Sequence, residues 1–104
     1  MNDIIEKLET ILQDRKNKAP EDSYVSSLYS KGNKDICDKI IEEAGELVDA
    51  TEDGKAQVVH ETADLLFHVL VLLASLDIKY STILDELIKR FGTSGIEEKN
   101  NRKK

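Results

Sequence analysis

The sequence predicts an all-α protein in which an antiparallel helical hairpin forms the core. Three observations support this fold class. Apolar residues recur with helical spacing along most of the 104 residues, and no stretch alternates as strands do. Aromatic residues make up 5% of the chain and Trp is absent, which indicates an aliphatic core. A turn signal, Asp53-Gly54, separates the two longest helical segments.

About five helices account for the apolar spacing within a single domain spanning 1–104. Their predicted bounds, in chain order, are 3–15, 23–30, 34–52, 55–76 and 80–91. A polar stretch with the only Pro, at 16–22, is expected to be a linker. Gly32 is available for a left-handed C-cap of the second helix. The charged tail at about 93–104 is expected to be mobile in part.

The second half of the fourth helix, Val69 to Ala74, is apolar on every side. A helix of this kind is surrounded by protein, and so small a chain has few helices to surround it. We therefore expect a partner subunit to complete the bundle in a homodimer. The longest apolar run, Leu65 to Ala74, is too short to span a membrane, so no membrane association is expected.

Composition excludes several classes of function. Charged residues make up 35% of the chain and the net charge is −6, which disfavours binding to nucleic acid because that requires a basic surface. The single Cys excludes an intramolecular disulfide and, without a visible signal peptide, indicates the cytoplasm. This residue, Cys37, lies on the apolar side of its helix and is expected to be packed and inert.

Two pairs of acidic residues are the strongest functional signal. Glu43 and Glu46 lie three residues apart before the turn, and Glu61 and Asp64 lie three apart after it. The pairs are placed symmetrically about Asp53-Gly54, so a hairpin there brings all four carboxylates onto one patch. Their mutual repulsion requires a cation, and hard oxygen ligands favour Mg²⁺.

Other polar residues near these pairs are candidates for binding. Carboxylates without Cys, and with at most one nearby His, argue against zinc. His68 lies level with Lys39 in the hairpin and is either a hydrogen-bonded residue at the edge of the core or a substrate contact. His60 lies off the polar stripe and is expected to be an ordinary surface group. The basic candidates for phosphate contact are Lys31, Lys39, Arg90 and Lys99.

These residues resemble a known family. Glu42-Glu43 with Glu46, followed by Glu61 and Asp64, is similar to the pattern of the all-α nucleotide pyrophosphohydrolase superfamily. Further segments narrow the resemblance to the phosphoribosyl-ATP pyrophosphatase family, and they extend it from about residue 4 to residue 102. These segments are Ser23-Tyr24-Val25, Lys31-Gly32, Ala63-Asp64-Leu65-Leu66-Phe67-His68 and Ser94 to Lys99. Asp35, where the family usually has a basic residue, and Ile41, where Gly is common, depart from the pattern.

The resemblance implies hydrolysis of phosphoribosyl-ATP to phosphoribosyl-AMP and pyrophosphate, the second step of histidine biosynthesis, in a Mg²⁺-dependent dimer. In this mechanism the metal ligands are Glu43, Glu46, Glu61 and Asp64. Glu42 and Glu43 are the catalytic candidates, with Glu42 orienting or deprotonating the attacking water. The nucleotide substrate is bound by Lys31, Lys39, His68, Arg90 and Lys99.

Two other functions remain open. A house-cleaning nucleoside triphosphate pyrophosphohydrolase of the same superfamily would use the same metal chemistry on another substrate. The loop at Lys31-Gly32 and the tail favour the phosphoribosyl-ATP branch. A non-enzymatic helical oligomerisation module would have an acidic face that is only solvated, and divalent ions would not change its stability.

Overall fold

The computed structural model describes residues 3–91, which form five α-helices and two short 3-10 turns. The helices are α1 Asp3–Asp14, α2 Tyr24–Lys31, α3 Asn33–Ala50, α4 Lys55–Ser75 and α5 Tyr80–Phe91. No strand occurs within residues 3–91, and the predicted all-α class is confirmed. The predicted tail at 93–104 lies outside the described residues.

The segment between α1 and α2 is more regular than a linker, because two 3-10 turns form there, at Arg15–Asn17 and Pro20–Asp22. Pro20 opens the second turn, where its fixed φ angle suits the first helical position. Ser23 is the N-cap of α2, and its Oγ accepts from the Ser26 N–H at 3.2 Å. Ser26 Oγ donates to the Arg15 carbonyl at 2.6 Å, which ties α2 to the end of α1.

Two glycines connect helices at positive φ. Gly32, between α2 and α3, has φ 104° and ψ 173°, and Gly54, before α4, has φ 107° and ψ 166°. Gly32 is therefore not the left-handed C-cap predicted from the sequence, because its ψ lies outside that region. Only glycine adopts this combination readily. Gly54 reverses the chain at the predicted turn, and α3 and α4 pack against each other as the predicted hairpin.

The core lies at the end of the α3–α4 hairpin away from its turn. It is formed by α1, α2, the start of α3 and the end of α4, through the buried residues Leu12, Val25, Leu28, Ile36, Leu70, Val71 and Ala74. The half of the hairpin nearer the turn, which carries the paired carboxylates, lies outside this cluster.

The apolar run Val69 to Ala74 is covered by the chain itself more than the sequence suggests. Leu70, Val71 and Ala74 are buried, and the other three residues are half-buried. Most of the exposed large apolar side chains lie elsewhere, on α1, α3, the first half of α4 and α5. Those on the hairpin and α5 are Ile41, Val48, Val59, Leu66, Leu87, Ile88 and Phe91.

Cys37 is exposed, so the expectation of a packed thiol is wrong. The buried side of α3 is centred on Ile36 and Glu43. Cys37 lies about 100° around the helix axis from Ile36, because successive residues rotate by that angle. The apolar stripe predicted from the sequence is therefore wider than the surface that one chain covers.

By length and composition, α4 is apolar enough to cross a membrane, contrary to the expectation from residues 65–74 alone. One such helix is weak evidence, since the core helices of soluble proteins meet the same criteria. Glu61 and Asp64 lie within this helix, and charged groups are costly in hydrocarbon. Together with the burial of Leu70 and Val71 inside the chain, this identifies α4 as a bundle helix.

The core predicts which aliphatic side chains stabilise the fold. Ile36 is 0% exposed, so Ile36→Ala should lower the free energy of unfolding by about 2–4 kcal/mol, because it removes buried methyl groups and leaves a cavity. Ile4→Ala is the matched control, since Ile4 is 66% exposed. Urea denaturation measures both changes. Equal destabilisation by the two variants would contradict this placement of the core.

Candidate active site

The mirrored acidic residues of α3 and α4 meet in the folded chain. Carboxylate oxygens of Glu43, Glu46 and Glu61 lie within 4.8 Å of one another. Glu43 and Glu61 are buried, whereas Glu46 is exposed. Asp64 is within 4.8 Å of Glu61 in a second group. The reversal at Gly54 brings Glu43 and Glu46 to Glu61, as the symmetric spacing predicts, whereas Asp64 reaches the group only through Glu61. We call these four residues the carboxylate cluster.

Repulsion within the carboxylate cluster acts on the pKa of Glu46. A side-chain hydrogen bond with Glu43 raises the pKa of Glu46 above its usual value. Desolvation and the charges of Glu43 and Glu42 raise this pKa further, and Lys39 opposes them. A bound cation would relieve this repulsion, and an all-oxygen set of this kind suits Mg²⁺.

Lys39 lies beside the cluster, one turn before Glu43 on α3. Its Nζ is 3.5 Å from Glu42 Oε2 and 3.8 Å from Glu43 Oε1. Burial is the largest single effect on the pKa of Lys39 and lowers it, but Tyr24 and the two carboxylates together raise it above its usual value. Lys39 is therefore positively charged at neutral pH. Glu42, whose side chain is 57% exposed, lies at the edge of the cluster.

His68 is buried behind the cluster and connects it to α2. Its Nδ1–H donates to the Asp64 carbonyl at 2.9 Å, so Nε2 accepts from the Tyr24 hydroxyl at 2.9 Å. Nδ1 also lies 4.0 Å from Glu43 Oε1. Both ring nitrogens are thus occupied by protein groups. Tyr24 was not identified from the sequence as a site residue, because the helical spacing places it among the apolar residues of α2.

An open cleft of about 350 Å³ lies beside Lys39, between α2 and the start of α3. It is lined by Tyr24, Leu28, Lys31, Asp35, Asp38 and Lys39. Two of the predicted phosphate contacts, Lys31 and Lys39, therefore share one cleft of a volume typical of small-molecule sites. A larger cleft of about 750 Å³ between α1, the end of α4 and α5 contains none of the candidate residues that the structure describes.

The remaining candidate residues are not part of the carboxylate cluster or of the cleft beside Lys39. Arg90 lies on α5, where its Nη2 is 3.7 Å from Glu86 Oε1, and it is not among the cluster contacts described above. Lys99 lies outside the described residues. His60 is a surface residue with its side chain 65% exposed, as expected, and its Nε2 is 3.4 Å from Asp64 Oδ2. The spacing of four residues between His60 and Asp64 is the sequence signal that could have indicated this contact.

Known proteins resemble the chain over nearly its whole length. Residues 5–91 match the family model of phosphoribosyl-ATP pyrophosphohydrolase. A phosphoribosyl-ATP pyrophosphatase of Ruthia magnifica subsp. Calyptogena magnifica is 48% identical over 103 residues, which are 98% of each chain. Proteins with the same name from Vesicomyosocius okutanii and Methylococcus capsulatus are 50% and 49% identical and cover 98% and 97% of this chain, with equal shares of their own lengths.

The raised pKa of Glu46 predicts a pH-dependent stability for the metal-free protein. Because the pKa of Glu46 is raised on folding, its contribution to stability is present below the unfolded pKa and is lost as the pH rises through the folded pKa. Because Gln does not ionise, Glu46→Gln avoids this loss of stability at higher pH. In EDTA, the melting temperature of Glu46→Gln relative to the wild type should increase between about pH 4 and about pH 7.

Asp77→Asn is a control of opposite sign. Lys16 donates a 2.8 Å hydrogen bond that holds the pKa of Asp77 below its usual value. The stabilisation by Lys16 is present above the pKa that Asp77 has in the unfolded chain, and it is lost as the pH falls through the lower pKa of the folded chain. The stability of Asp77→Asn relative to the wild type should therefore decrease as the pH rises through the region below about 4. A difference in melting temperature between Glu46→Gln and the wild type that does not change with pH would contradict the raised pKa of Glu46.

Proposed function

This chain belongs to the phosphoribosyl-ATP pyrophosphohydrolase family, and we propose that it hydrolyses phosphoribosyl-ATP to phosphoribosyl-AMP and pyrophosphate at the carboxylate cluster. It is a hydrolase of histidine biosynthesis, and we assign it to the cytoplasm. One observation carries the assignment of the site. Carboxylates close enough to hold one cation lie beside a cleft that is lined by two lysines, so possible ligands for a metal ion and possible contacts for phosphate are neighbours.

The metal ligands in this proposal are the four residues of the carboxylate cluster, and the ion is Mg²⁺. Their donor atoms are all oxygens, as Mg²⁺ prefers, and the interaction with Glu43 raises the pKa of Glu46 in the metal-free chain. When bound, Mg²⁺ neutralises charge on the phosphates and lowers the pKa of a coordinated water molecule. Glu43 Oε1 lies 3.8 Å from the positively charged Nζ of Lys39, which favours the ionised carboxylate that a metal ligand requires.

The cleft beside the cluster supplies the groups that would bind the nucleotide. Lys39, at the boundary between the cleft and the carboxylates, would contact the phosphates together with Lys31. These local charges matter because the chain as a whole is acidic and repels an anionic substrate. Tyr24 is 52% exposed and held at its hydroxyl by His68, so its ring offers a fixed apolar surface for the base or ribose.

Two residues take indirect roles in this proposal. Glu42 would orient the attacking water or accept its proton, since it is solvent-exposed and its charge acts on Glu46. His68, predicted from the sequence as a substrate contact, would instead position Tyr24 and Glu43. Its ring is 6% exposed and both nitrogens already have protein partners.

We also propose that the enzyme is a homodimer, joined through the side of the hairpin opposite the carboxylates. Ile41 and Val48 on α3 lie about 140–160° around the helix axis from Glu43 and Glu46, at 100° per residue. Val59 and Leu66 have the corresponding positions on α4 relative to Glu61 and Asp64. Exposed fractions of 71%, 68%, 69% and 36% leave these four side chains largely uncovered by the described chain.

Covering this face would stabilise the enzyme substantially. Complete burial of one large aliphatic side chain contributes about 1.5–3 kcal/mol, and several would be buried together on each subunit. The outer part of α5 is likewise uncovered, with Phe91 86% exposed. In a dimer, Arg90 on this helix and Lys99 would be available to contact phosphate at a site of either subunit.

The proposed activity predicts that the protein releases pyrophosphate from phosphoribosyl-ATP with Mg²⁺, and does so faster than from a panel of nucleoside triphosphates. Glu61→Gln and Asp64→Asn should lose nearly all turnover. They should also lose the rise in melting temperature that millimolar Mg²⁺ gives the wild type by binding the native state. Pyrophosphate release and thermal melting measure the two effects.

Glu52→Gln is the matched control, since Glu52 is an exposed glutamate in the hairpin turn. It should retain both turnover and the Mg²⁺ effect. Faster hydrolysis of an ordinary nucleoside triphosphate than of phosphoribosyl-ATP would refute the substrate, and full activity of Asp64→Asn would refute the assignment of the metal ligands.

The proposed dimer predicts a specific sensitivity of the apolar hairpin face. Val48→Glu should convert the dimer into a folded monomer or a dissociating mixture at micromolar concentration, because it places a charge where apolar groups are to be buried. Ile4→Glu is the control, since Ile4 on α1 has a similar exposure of 66%. Sedimentation velocity gives the answer. A wild-type monomer with full activity, or a Val48→Glu dimer of unchanged affinity, would contradict the proposal.

A further inference from the structure

Asp35 lines the cleft beside Lys39, yet the proposed mechanism does not use it. It is half-buried in the first turn of α3, four residues before Lys39. Among the described residues, its carboxylate takes part in no hydrogen bond or ion pair. Asp38 lines the same cleft but is paired, because Lys34 Nζ donates to its Oδ2 at 3.1 Å. Asp35 therefore presents acceptor oxygens to the cleft that the described chain leaves unused.

We propose that Asp35 binds a ribose of the nucleotide substrate by accepting hydrogen bonds from its 2′ and 3′ hydroxyl groups. A carboxylate has two acceptor oxygens, so the two adjacent hydroxyls of a ribose can both donate to it. Acidic side chains bind ribose hydroxyls in the same way in dinucleotide-binding proteins. Phosphate is excluded as the ligand of Asp35, because like charges repel. This inference rests on the proposed function, since it takes the cleft as the nucleotide site.

The order of groups along α3 indicates which ribose Asp35 binds. Asp35, Lys39 and Glu43 follow one another at intervals of four residues, so they share one face of the helix at steps of about 6 Å along its axis. In the proposed function, Glu43 binds the metal ion and Lys39 contacts the phosphates. The ribose of the adenosine part is joined directly to the α-phosphate, so it comes next after the phosphates. Asp35 is the next polar group on the same face, which assigns it to this ribose.

The contact would make Asp35 a determinant of specificity for ribonucleotides. Removal of both hydroxyls leaves the charge of a nucleotide unchanged, but it leaves the half-buried carboxylate without its donors. The probe is α,β-methylene-ATP, which cannot be cleaved between its α and β phosphates. We expect the wild type, with Mg²⁺, to bind it about tenfold or more tightly than its 2′,3′-dideoxy analogue, because hydrogen bonds to a charged group are among the stronger ones. Isothermal titration calorimetry measures both affinities.

A carboxylate in the first turn of a helix also stabilises the helix through its dipole, without any ligand. Asp35→Ala separates the two roles. Loss of the ribose contact should bring the affinities of the two analogues close to equality. Loss of the dipole interaction alone would lower the melting temperature and leave their ratio as in the wild type. The ratio is insensitive to the altered charge of the cleft, because both analogues carry the same charge.

Asp38→Ala is the matched control, since it removes the same side chain from the same cleft but one that Lys34 already occupies. It should keep the preference of the wild type for the analogue with hydroxyls. A preference that persists in Asp35→Ala, or that falls equally in both variants, would overturn the proposal.

Two further outcomes keep the test independent of the variants and of the proposed function. A wild type that binds the two analogues equally, or binds neither at millimolar concentration, would overturn the ribose contact. If phosphoribosyl-ATP is not hydrolysed but the preference depends on Asp35, the proposed reaction fails and the ribose contact stands. If phosphoribosyl-ATP is hydrolysed and the preference does not depend on Asp35, the ribose contact alone fails.

Discussion

The rest of the site depends on the reversal of the chain at Gly54. Gly54 has φ 107° and ψ 166°, a conformation that is strained for residues other than glycine. It is the N-cap of α4 and directly follows the turn. The reversal sets the register between α3 and α4. With this register Glu43 and Glu46 face Glu61, and a shift by one residue would rotate a carboxylate by about 100° away from the cluster.

Burial and charge are divided between the two ends of the hairpin. The aliphatic core around Ile36 and Val71 lies away from the turn and contains every buried apolar residue of the described chain except Ala50. The cluster lies nearer the turn, where Glu43 and Glu61 are buried although they repel each other. Stability from one end therefore offsets the electrostatic cost at the other, which a bound cation would reduce.

A layer of neutral and positive groups behind the cluster holds it in place. His68 receives the Tyr24 hydroxyl on one nitrogen and donates from the other to the Asp64 carbonyl, so it links α2 to the middle of α4. Lys39 contacts Glu42 and Glu43 from α3. These links connect the cleft lined by Tyr24 to the carboxylates.

The sequence by itself determined the helices, the turn and the convergence of the carboxylates, because each depends on spacing along one or two helices. The helical spacing of the apolar and acidic residues can be recognised within single segments of the chain. The symmetric placement of the two acidic pairs about Asp53-Gly54 indicated the register of the hairpin. The tertiary structure alone decided what depends on packing between elements distant in the chain. Tyr24 reaches His68 across 44 residues, and no periodicity within α2 indicates that contact. Packing of α1 and α2 on the hairpin also decided that Leu70 and Val71 are buried while Cys37 and Ile41 are not, because one small chain can cover only part of each apolar stripe.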